Sequence, residues 1–360
     1  MSQLTRREML LSSAALLTTA ASEIEANEII AEMTAYARPA QVGKVDQLTD
    51  NVYFHQGNLL AGHCNNGWVI FDDYVLVIDA NFPSGALEIL PKIRALTDKP
   101  IRFAFDTHHH GDHAYGNQIW VDNGATPVAH TGVVEEMKKY EPGQWEAAAK
   151  TRADVRASKL KAPTLLFPHE LYFDDGKRRV ELHHLGVAHT HGDAFAWLPN
   201  EKILFSGDAC VNGPYNFVGD GNVEKWLGTL EAAKKLGARI VCPGHGPRGV
   251  EIVLAEQQRF FAGLRASVGN LLKAKKTGAQ IRDAITQIGA ELKTDQTIAR
   301  YVGSYLAAQV EKVYTEMTGQ PFPAAQKSAL DVKQLHAHAH GRPHVHVDDH
   351  GHLYMHAHHA

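Results

Sequence analysis

The chain of 360 residues is poor in cysteine: Cys64, Cys210 and Cys242 are all it has. Three are too few for a disulfide scaffold, and no two of them form a C-x-x-C pair. It also lacks an excess of one charge. Lys+Arg number 36 and Asp+Glu 40, for a net charge of −4, which excludes a protein built around a strongly basic nucleic-acid surface. An uninterrupted apolar run of the ~20 residues that a membrane-spanning helix requires is missing, and so is any internal repeat. Charged residues at 21% and hydrophobic residues at 44% are ordinary for a globular chain and argue against disorder. At ~150 residues per domain the length suggests about two domains, although one α/β domain can reach ~250. What the chain has in abundance is histidine, 23 in all. Histidine is both the commonest metal ligand and the acid/base of neutral pH.

Both ends read as something other than the fold. Residues 1–21 begin with a charged stretch, continue with a short apolar run and end on small residues near Thr19-Ala20-Ala21, the pattern of a secretory leader. Thr5-Arg6-Arg7-Glu8-Met9-Leu10 resembles a twin-arginine leader. That resemblance implies the twin-arginine export machinery as a partner. It also implies a bacterial enzyme that folds and takes up metal before export to the periplasm or outside. Losing residues 1–21 removes Arg6, Arg7 and Glu8, a net charge of +1, and leaves −5. No stable membrane insertion is expected after leader removal. At the other end, residues 326–360 form a His-rich tail. Its last part, 336–360, holds ten histidines: His336, His338, His340, His344, His346, His350, His352, His356, His358 and His359. Most alternate as H-x-H with Ala, Val, Leu or Asp between them, unlike an uninterrupted cloning tag. With few core-forming residues, this tail is expected to be disordered without metal and to bind metal with low specificity.

Between the ends, residues 22–49 read as an N-terminal helix and linker. From Asn51 the chain turns β-rich, with runs at 52–54, 67–71 and 74–78 and a turn at Asp72-Asp73. Ser84 to Leu96 places Leu87, Leu90, Ile93 and Leu96 on one helical face, and Pro91 should kink that helix or reset its start. A buried strand over 101–105 runs straight into Thr107-His108-His109-His110-Gly111-Asp112-His113. Residues 131–160 are helix-prone and broken at Pro142-Gly143. Strands follow at 180–185 and as a hairpin at 194–205, then a helix near 223–236 and a short strand at 239–242. Helices fill 250–275, 279–292 and 295–318. Strands first and then strands mixed with helices point to an α/β-layered fold rather than a simple βαβ repeat.

The chemistry concentrates just past strand ends, beside glycines. His108 and His110 are two apart, so period-two geometry puts both side chains on one face, where they can grip one cation. His109 then points the other way and reads as structural or as a support for a ligand. Gly111 permits a sharp turn, and Asp112 with His113 on that turn could hold a second cation. Further candidates lie in Gly186-Val187-Ala188-His189-Thr190-His191-Gly192-Asp193, in Phe205-Ser206-Gly207-Asp208 and in Pro243-Gly244-His245-Gly246. The other histidines read more simply. His130 and His169 fit surface or capping positions. His183 and His184 alternate in a strand, so at most one of them can face the site. His191 is a candidate for contact with a ligand or substrate. Asp193 either supports a ligand or ends its loop, and the three cysteines read as buried thiols.

H-x-H-x-D-H, G-x-A-H-T-x-G-D, F-S-G-D and P-G-H-G, in this order over roughly residues 50–250, resemble the metallo-β-lactamase superfamily. The resemblance implies a four-layer αββα sandwich with metals at one edge between the sheets. Residues 50–250 would form the metallo-hydrolase domain and 251–325 a helical extension of it. His108, His110 and His189 would hold a first metal, and Asp112, His113 and His245 a second, with Asp208 bridging both. Asp112 would also act catalytically, by orienting the nucleophile. Two cations ~3.5–4 Å apart share a water, lower its pKa towards neutral to give a bridging hydroxide, and polarise the substrate oxygen. Nitrogen and carboxylate donors suit zinc and leave iron or manganese open.

Asp208 discriminates between reactions. In this superfamily a bridging acid resembles the pattern of enzymes acting on thioesters, lactones and phosphodiesters, and typical β-lactamases of the family lack it. The expected function is therefore metal-dependent hydrolysis of an ester, thioester, lactone or phosphodiester in a small-molecule substrate. The alternatives are β-lactam hydrolysis, or metal buffering through the His-rich tail. The acidic balance and the export leader argue against nucleic acid as substrate. Thr131 to Pro168 is a candidate lid or substrate wall, and Tyr215 and Asn216 follow Asp208 closely enough to reach substrate.

Overall fold

The computed structural model describes residues 41–323, together with the backbone of two short strands in the tail. The leader, the stretch read as an N-terminal helix up to residue 40 and the histidine side chains of the tail lie outside the described residues.

The first half of the chain builds one mixed sheet. β1 (Val45–Thr49), β2 (Val52–His55), β3 (Asn66–Ile70) and β4 (Val75–Ile78) form an antiparallel meander. α1 (Pro83–Arg94) crosses to β5 (Ile101–Asp106), which runs parallel to β4. α2 (Gly111–Ala114) and α3 (Asn117–Asp122) lead to β6 (Thr126–His130). α4 (Thr131–Tyr140), α5 (Gly143–Thr151) and α6 (Ala153–Arg156) lead to β7 (Leu165–Phe167), and both new strands add in parallel. The second sheet starts with β8 (Glu170–Asp174), β9 (Arg179–His183), β10 (Phe195–Leu198) and β11 (Ile203–Gly207), all antiparallel. α7 (Val223–Lys234) returns the chain to β12 (Ile240–Pro243), which is parallel to β11. α8 (Ile252–Lys273), α9 (Gly278–Asp283), α10 (Ile285–Lys293) and α11 (Leu306–Thr318) form the C-terminal helical region. In the tail, β13 (Val345–Val347) and β14 (Leu353–Met355) pair antiparallel with each other.

Three apolar clusters make this a four-layer αββα sandwich. Between the sheets, Phe54, Val69, Leu76, Phe105 and Val128 meet Val180, Leu182, Ala196, Ile203 and Phe205. On the outer face of the first sheet, Trp68, Val77 and Ala104 pack with Ala86, Ile89 and Ile93 of α1 and Trp120 of α3. On the outer face of the second, Trp197, Leu204 and Val241 are covered by Trp226, Leu230, Phe260, Phe261 and Leu264. Strands buried on both faces read as continuous apolar runs, which is why 75–78 stands out in the sequence; β5 is apolar apart from exposed Arg102 until it ends on Asp106.

The structure differs from the sequence reading in several places. β1 lies inside the stretch read as linker; it is an edge strand with Leu48 as its one buried residue, so it carries little apolar signal. β6, β7 and β8 went unread because Pro127 interrupts one and the other two are short and half-exposed. α1 buries Pro83, Gly85, Ala86, Ile89 and Ile93, while Leu87 and Leu96 are exposed. Small residues let this helix lie close on the sheet; Leu90 packs at the margin of that cluster, and Leu87 points outward. α1 also runs through Pro91. The intrahelical partner that Pro91 forgoes is the carbonyl of solvent-facing Leu87, which water can satisfy.

The strand ends that matter converge at one edge. Asp79 follows β4, Thr107 follows β5, Asp208 follows β11 and Gly244 follows β12, while the loop 184–194 enters antiparallel β10 from the same end. Backbone hydrogen bonds stitch these loops together: Ala80 N–H to His113 O (2.7 Å), Ala194 N–H to Thr107 O (2.9 Å) and Gly244 N–H to Gly207 O (2.8 Å).

Candidate metal centre

All seven residues singled out as ligands meet at this edge. Donor atoms of His108, His110 and His189 lie within 4.8 Å of one another, as do those of Asp112, His113 and His245. Asp208 stands between the two groups. Its Oδ2 is 3.6 Å from His189 Nε2 and 3.4 Å from His245 Nε2, and its Oδ1 is 3.3 Å from His113 Nε2. β5 ends at Asp106, so the alternation of His108 and His110 is carried by bend residues rather than by the strand itself. His110 keeps extended backbone angles (φ −63°, ψ 150°) as the residue that starts α2, and α2 brings Asp112 and His113 round to the second group.

Glycine makes the close approach of the last two motifs workable. Gly207 sits at φ +49°, a left-handed conformation that frees it from Cβ strain. A Cβ on Gly244 would overlap the Asp208 carboxylate and the Gly207 backbone. The P-G-H-G turn therefore packs directly on Asp208 only because Gly244 has no side chain there.

Neighbouring groups fix which imidazole nitrogen faces inward. His189 Nδ1–H donates to Phe217 O (2.9 Å), which turns Nε2 inward, 2.8 Å from His110 Nδ1. The Thr107 hydroxyl donates to Asp79 Oδ1 (2.7 Å) and so accepts from His108 Nδ1–H (3.1 Å), which frees His108 Nε2. His110 is reversed: its Nε2–H donates to Asp220 Oδ2 (2.8 Å), so Nδ1 faces His189. His113 Nδ1 lies 3.0 Å from Asp79 Oδ2, again leaving Nε2 inward. Such outer partners orient metal-binding imidazoles and raise their basicity. Asp79, Asp220 and the Phe217 carbonyl were not found from the sequence. A faint signal existed for two of them: Asp79 ends a buried strand, and Asp220 stands between glycines.

The electrostatics match a site made for cations. The buried His108 Nε2, His113 Nε2 and Asp208 Oδ1 have no hydrogen-bond partner. Leaving such groups unpaired away from water costs ~1–3 kcal/mol each. Burial opposes charge throughout, yet the carboxylates of Asp208 and Asp112 outweigh it and raise His245 to about 9. Burial likewise fails to keep Asp112 up, because His113 and His245 hold it at about 2. Burial and then the neighbouring His110 push His189 down to about 4. The carboxylates thus favour positive charge on His110, His113 and His245, the charge that a bound cation would supply in its place. The donor set therefore fits divalent metal.

The remaining candidates fall outside the centre. The His109 ring stacks on Tyr140 at 5.6 Å, and its Nε2 lies 3.9 Å from Asp220 Oδ2, the acceptor behind His110. His130 caps α4 by accepting from Gly132 N–H, and its ring stacks on His184 at 4.0 Å. His183 pairs with Glu181, and His169 and His191 are exposed. Asp193 accepts from Thr190 N–H and Oγ1–H and so shapes the loop that carries His189. The three cysteines are buried and free. Tyr215 reaches the centre, its ring 6.2 Å from that of His245, but Asn216 is fully buried and does not face substrate. In the stretch read as a wall, the Glu141 carboxylate accepts from Tyr115 O–H (2.5 Å), and the Trp145 ring packs on Tyr115.

Comparisons with known proteins agree with this fold. A family model described as the metallo-beta-lactamase superfamily matches residues 60–245. A metallo-beta-lactamase type 2 of Pseudomonas aeruginosa is 24% identical over 238 residues, covering 62% of this chain and 87% of its own. A solved metallo-beta-lactamase from Pontibacter korlensis shares 19% identity at a TM-score of 0.52, over 61% of this chain and 98% of that one. The DIM-1 metallo-beta-lactamase shares 20% identity at a TM-score of 0.50, over 62% and 99% respectively. At this identity the solved structures speak for the fold alone.

Proposed function

The chain belongs to the metallo-beta-lactamase superfamily of hydrolases, and from that premise we propose that it is an exported, dinuclear metal-dependent hydrolase of ester, thioester, lactone or phosphodiester bonds. The observation that carries this reading is the position of Asp208, one carboxylate within 3.6 Å of imidazoles from both three-residue groups. His108, His110 and His189 would hold one cation, Asp112, His113 and His245 another, and Asp208 both. The cations, zinc by the chemistry of the donors, would supply activation of water and stabilisation of charge on the substrate oxygen. Asp112 has 23% of its side chain exposed against 7% for Asp208. It is thus the carboxylate that can meet water and substrate, orient the attacking water and take up its proton. Aromatic rings of Tyr215 and Phe217, half-buried beside His245, His110 and His189, shield the opposite side.

β-Lactam hydrolysis is the second reading, supported by the names of the relatives and weakened by the bridging acid. The resemblance of Thr5-Arg6-Arg7-Glu8-Met9-Leu10 to a twin-arginine leader supports the reading of a periplasmic or extracellular location. The His-rich tail is read as an accessory that gathers metal at low supply. The test is a panel of thioester, lactone, phosphodiester and β-lactam substrates with zinc-loaded protein, alongside Asp208→Ala and His110→Ala. Turnover of one of the first three classes, lost in both variants together with bound metal, is expected. Activity indifferent to both substitutions refutes the reading. Removing 336–360 should leave turnover at saturating zinc unchanged and reduce metal uptake at low zinc. A loss of turnover at saturating zinc would instead put the tail in the active site.

A further inference from the structure

Outside the span shared with the superfamily, the helical region packs a tyrosine against the Phe217 ring that borders the centre. Tyr305 stands at the residue that starts α11. Two polar contacts clamp α11 onto the loop that follows Asp208: Gln309 Nε2 donates to Asn216 O (2.7 Å) and Lys312 Nζ to Gly219 O (3.1 Å). The same loop carries Phe217, whose ring lies 5.7 Å from that of His110 and 5.9 Å from that of His189. The Tyr305 ring packs edge-on against Phe217 at 6.0 Å, next in line from the metal ligands. Tyr305 is half-buried, and among the described residues its hydroxyl has no hydrogen-bond partner.

We propose that Tyr305 is a catalytic residue: its phenol O–H donates a hydrogen bond to the substrate oxygen on which negative charge develops. This inference rests on the hydrolase reading above and adds the residue that completes its site. Burial, then the nearby carboxylates of Asp112 and Asp208, push the phenol up to about 12. It therefore keeps its proton at neutral pH and acts as a donor rather than a base. Two features make it useful. It comes from a rigid helix start, so its donor is placed before substrate arrives, and a preplaced donor aimed at developing charge is worth more than one that must reorganise. It also packs against the Phe217 ring, which limits competition from water on that side. No proton is transferred; the bond strengthens as the oxygen gains charge and weakens as the product carboxylate leaves.

The test compares wild-type full-length protein with Tyr305→Phe, both loaded with zinc. Phenylalanine keeps the ring against Phe217 and removes only the hydroxyl. Two readouts separate this inference from the parent reading. The first is the affinity for phenylacetate, a simple carboxylate that mimics a hydrolysis product, measured by calorimetry. A lost hydrogen bond to a charged oxygen should weaken binding roughly ten- to hundredfold. The second is kcat on whichever ester-class substrate is turned over, expected to fall by about the same factor with KM changed less. Zinc stoichiometry and melting temperature should stay at wild-type values. Equal phenylacetate affinity in the two proteins overturns the role of Tyr305, whatever the substrate panel shows. Weakened phenylacetate binding in a protein that hydrolyses no ester-class substrate would keep the donor and discard the hydrolase reading. Zinc loss in Tyr305→Phe would make the residue structural and overturn the inference.

Discussion

Replacing Asp220 should weaken metal binding without unfolding the protein. Asp220 is a candidate ligand in neither metal group, yet its Oδ2 accepts from His110 Nε2–H at 2.8 Å with 12% of its side chain exposed. Burial opposes its charge, but the bond and charge of His110 hold its carboxyl well below the usual carboxylate range. This contact decides which nitrogen of His110 faces His108 and His189. Without an acceptor at Nε2, His110 can carry its proton on Nδ1, the atom that must be bare to bind a cation. A charge-assisted hydrogen bond is worth ~1.5–3 kcal/mol, or about ten- to hundredfold in an equilibrium constant. Outer partners of metal-bound histidine cost a similar factor when removed. Asp220→Ala should therefore lose roughly ten- to hundredfold in affinity at the first metal position. Asp220→Asn keeps a neutral acceptor and should lose less. The assay is competition with a chelator of known zinc affinity at pH 7.5, with bound metal counted after dialysis. Wild-type affinity in Asp220→Ala would refute the reasoning, because it would mean that the His110 tautomer does not depend on this bond.

Other substitutions probe other links in the chain. Gly244→Ala should fold but displace Asp208, because its Cβ would overlap that carboxylate. An ~1 Å shift in such a site can cost about a hundredfold in rate, so wild-type kcat and zinc content in this variant would contradict the packing account. His55 tests the fold away from the metals: it is buried, and Lys92 Nζ donates to its Nε2 at 2.8 Å, which requires a neutral ring. Burial and then Lys92 lower His55 to about 4, so the unfolded chain takes up a proton first as pH falls. Its contribution is present above about pH 6.5 and is lost towards pH 4; at ~1.4 kcal/mol per pKa unit that is about 3 kcal/mol. Denaturant unfolding at pH 7 and 4.5 should show a smaller pH penalty in His55→Gln, and an identical penalty would exclude His55 as the source.

What the sequence could reveal of this molecule follows from how locally each feature is encoded. His108, His110, Asp112 and His113 lie within one strand end and one helical turn, so their spacing alone brings them near each other. His189, Asp208 and His245 each carry a glycine that the packing demands, which leaves a pattern readable without coordinates. A strand buried on both faces announces itself as an unbroken apolar run, as β4 does. α1 shows the limit of periodicity. Leucines at 87, 90 and 96 define a plausible face, but Gly85, Ala86 and Ile89 define the one that fits a helix lying close on a sheet, and nothing in the spacing chooses between them. Asp79, Asp220 and Tyr305 are a different case. Each acts through a contact across the fold, with no fixed offset from the residue it serves, so the chain has to be folded before they can be seen. The histidines outside the site divide in the same way. His55, His63, His130, His183 and His184 have partners that only tertiary structure supplies: Lys92, Ser84, the α4 backbone, Glu181 and the Asp193 carbonyl. Histidine abundance alone is thus a poor guide to this centre. What marks a candidate ligand here is a nitrogen turned inward because the opposite one is engaged, as in His108, His110, His113 and His189.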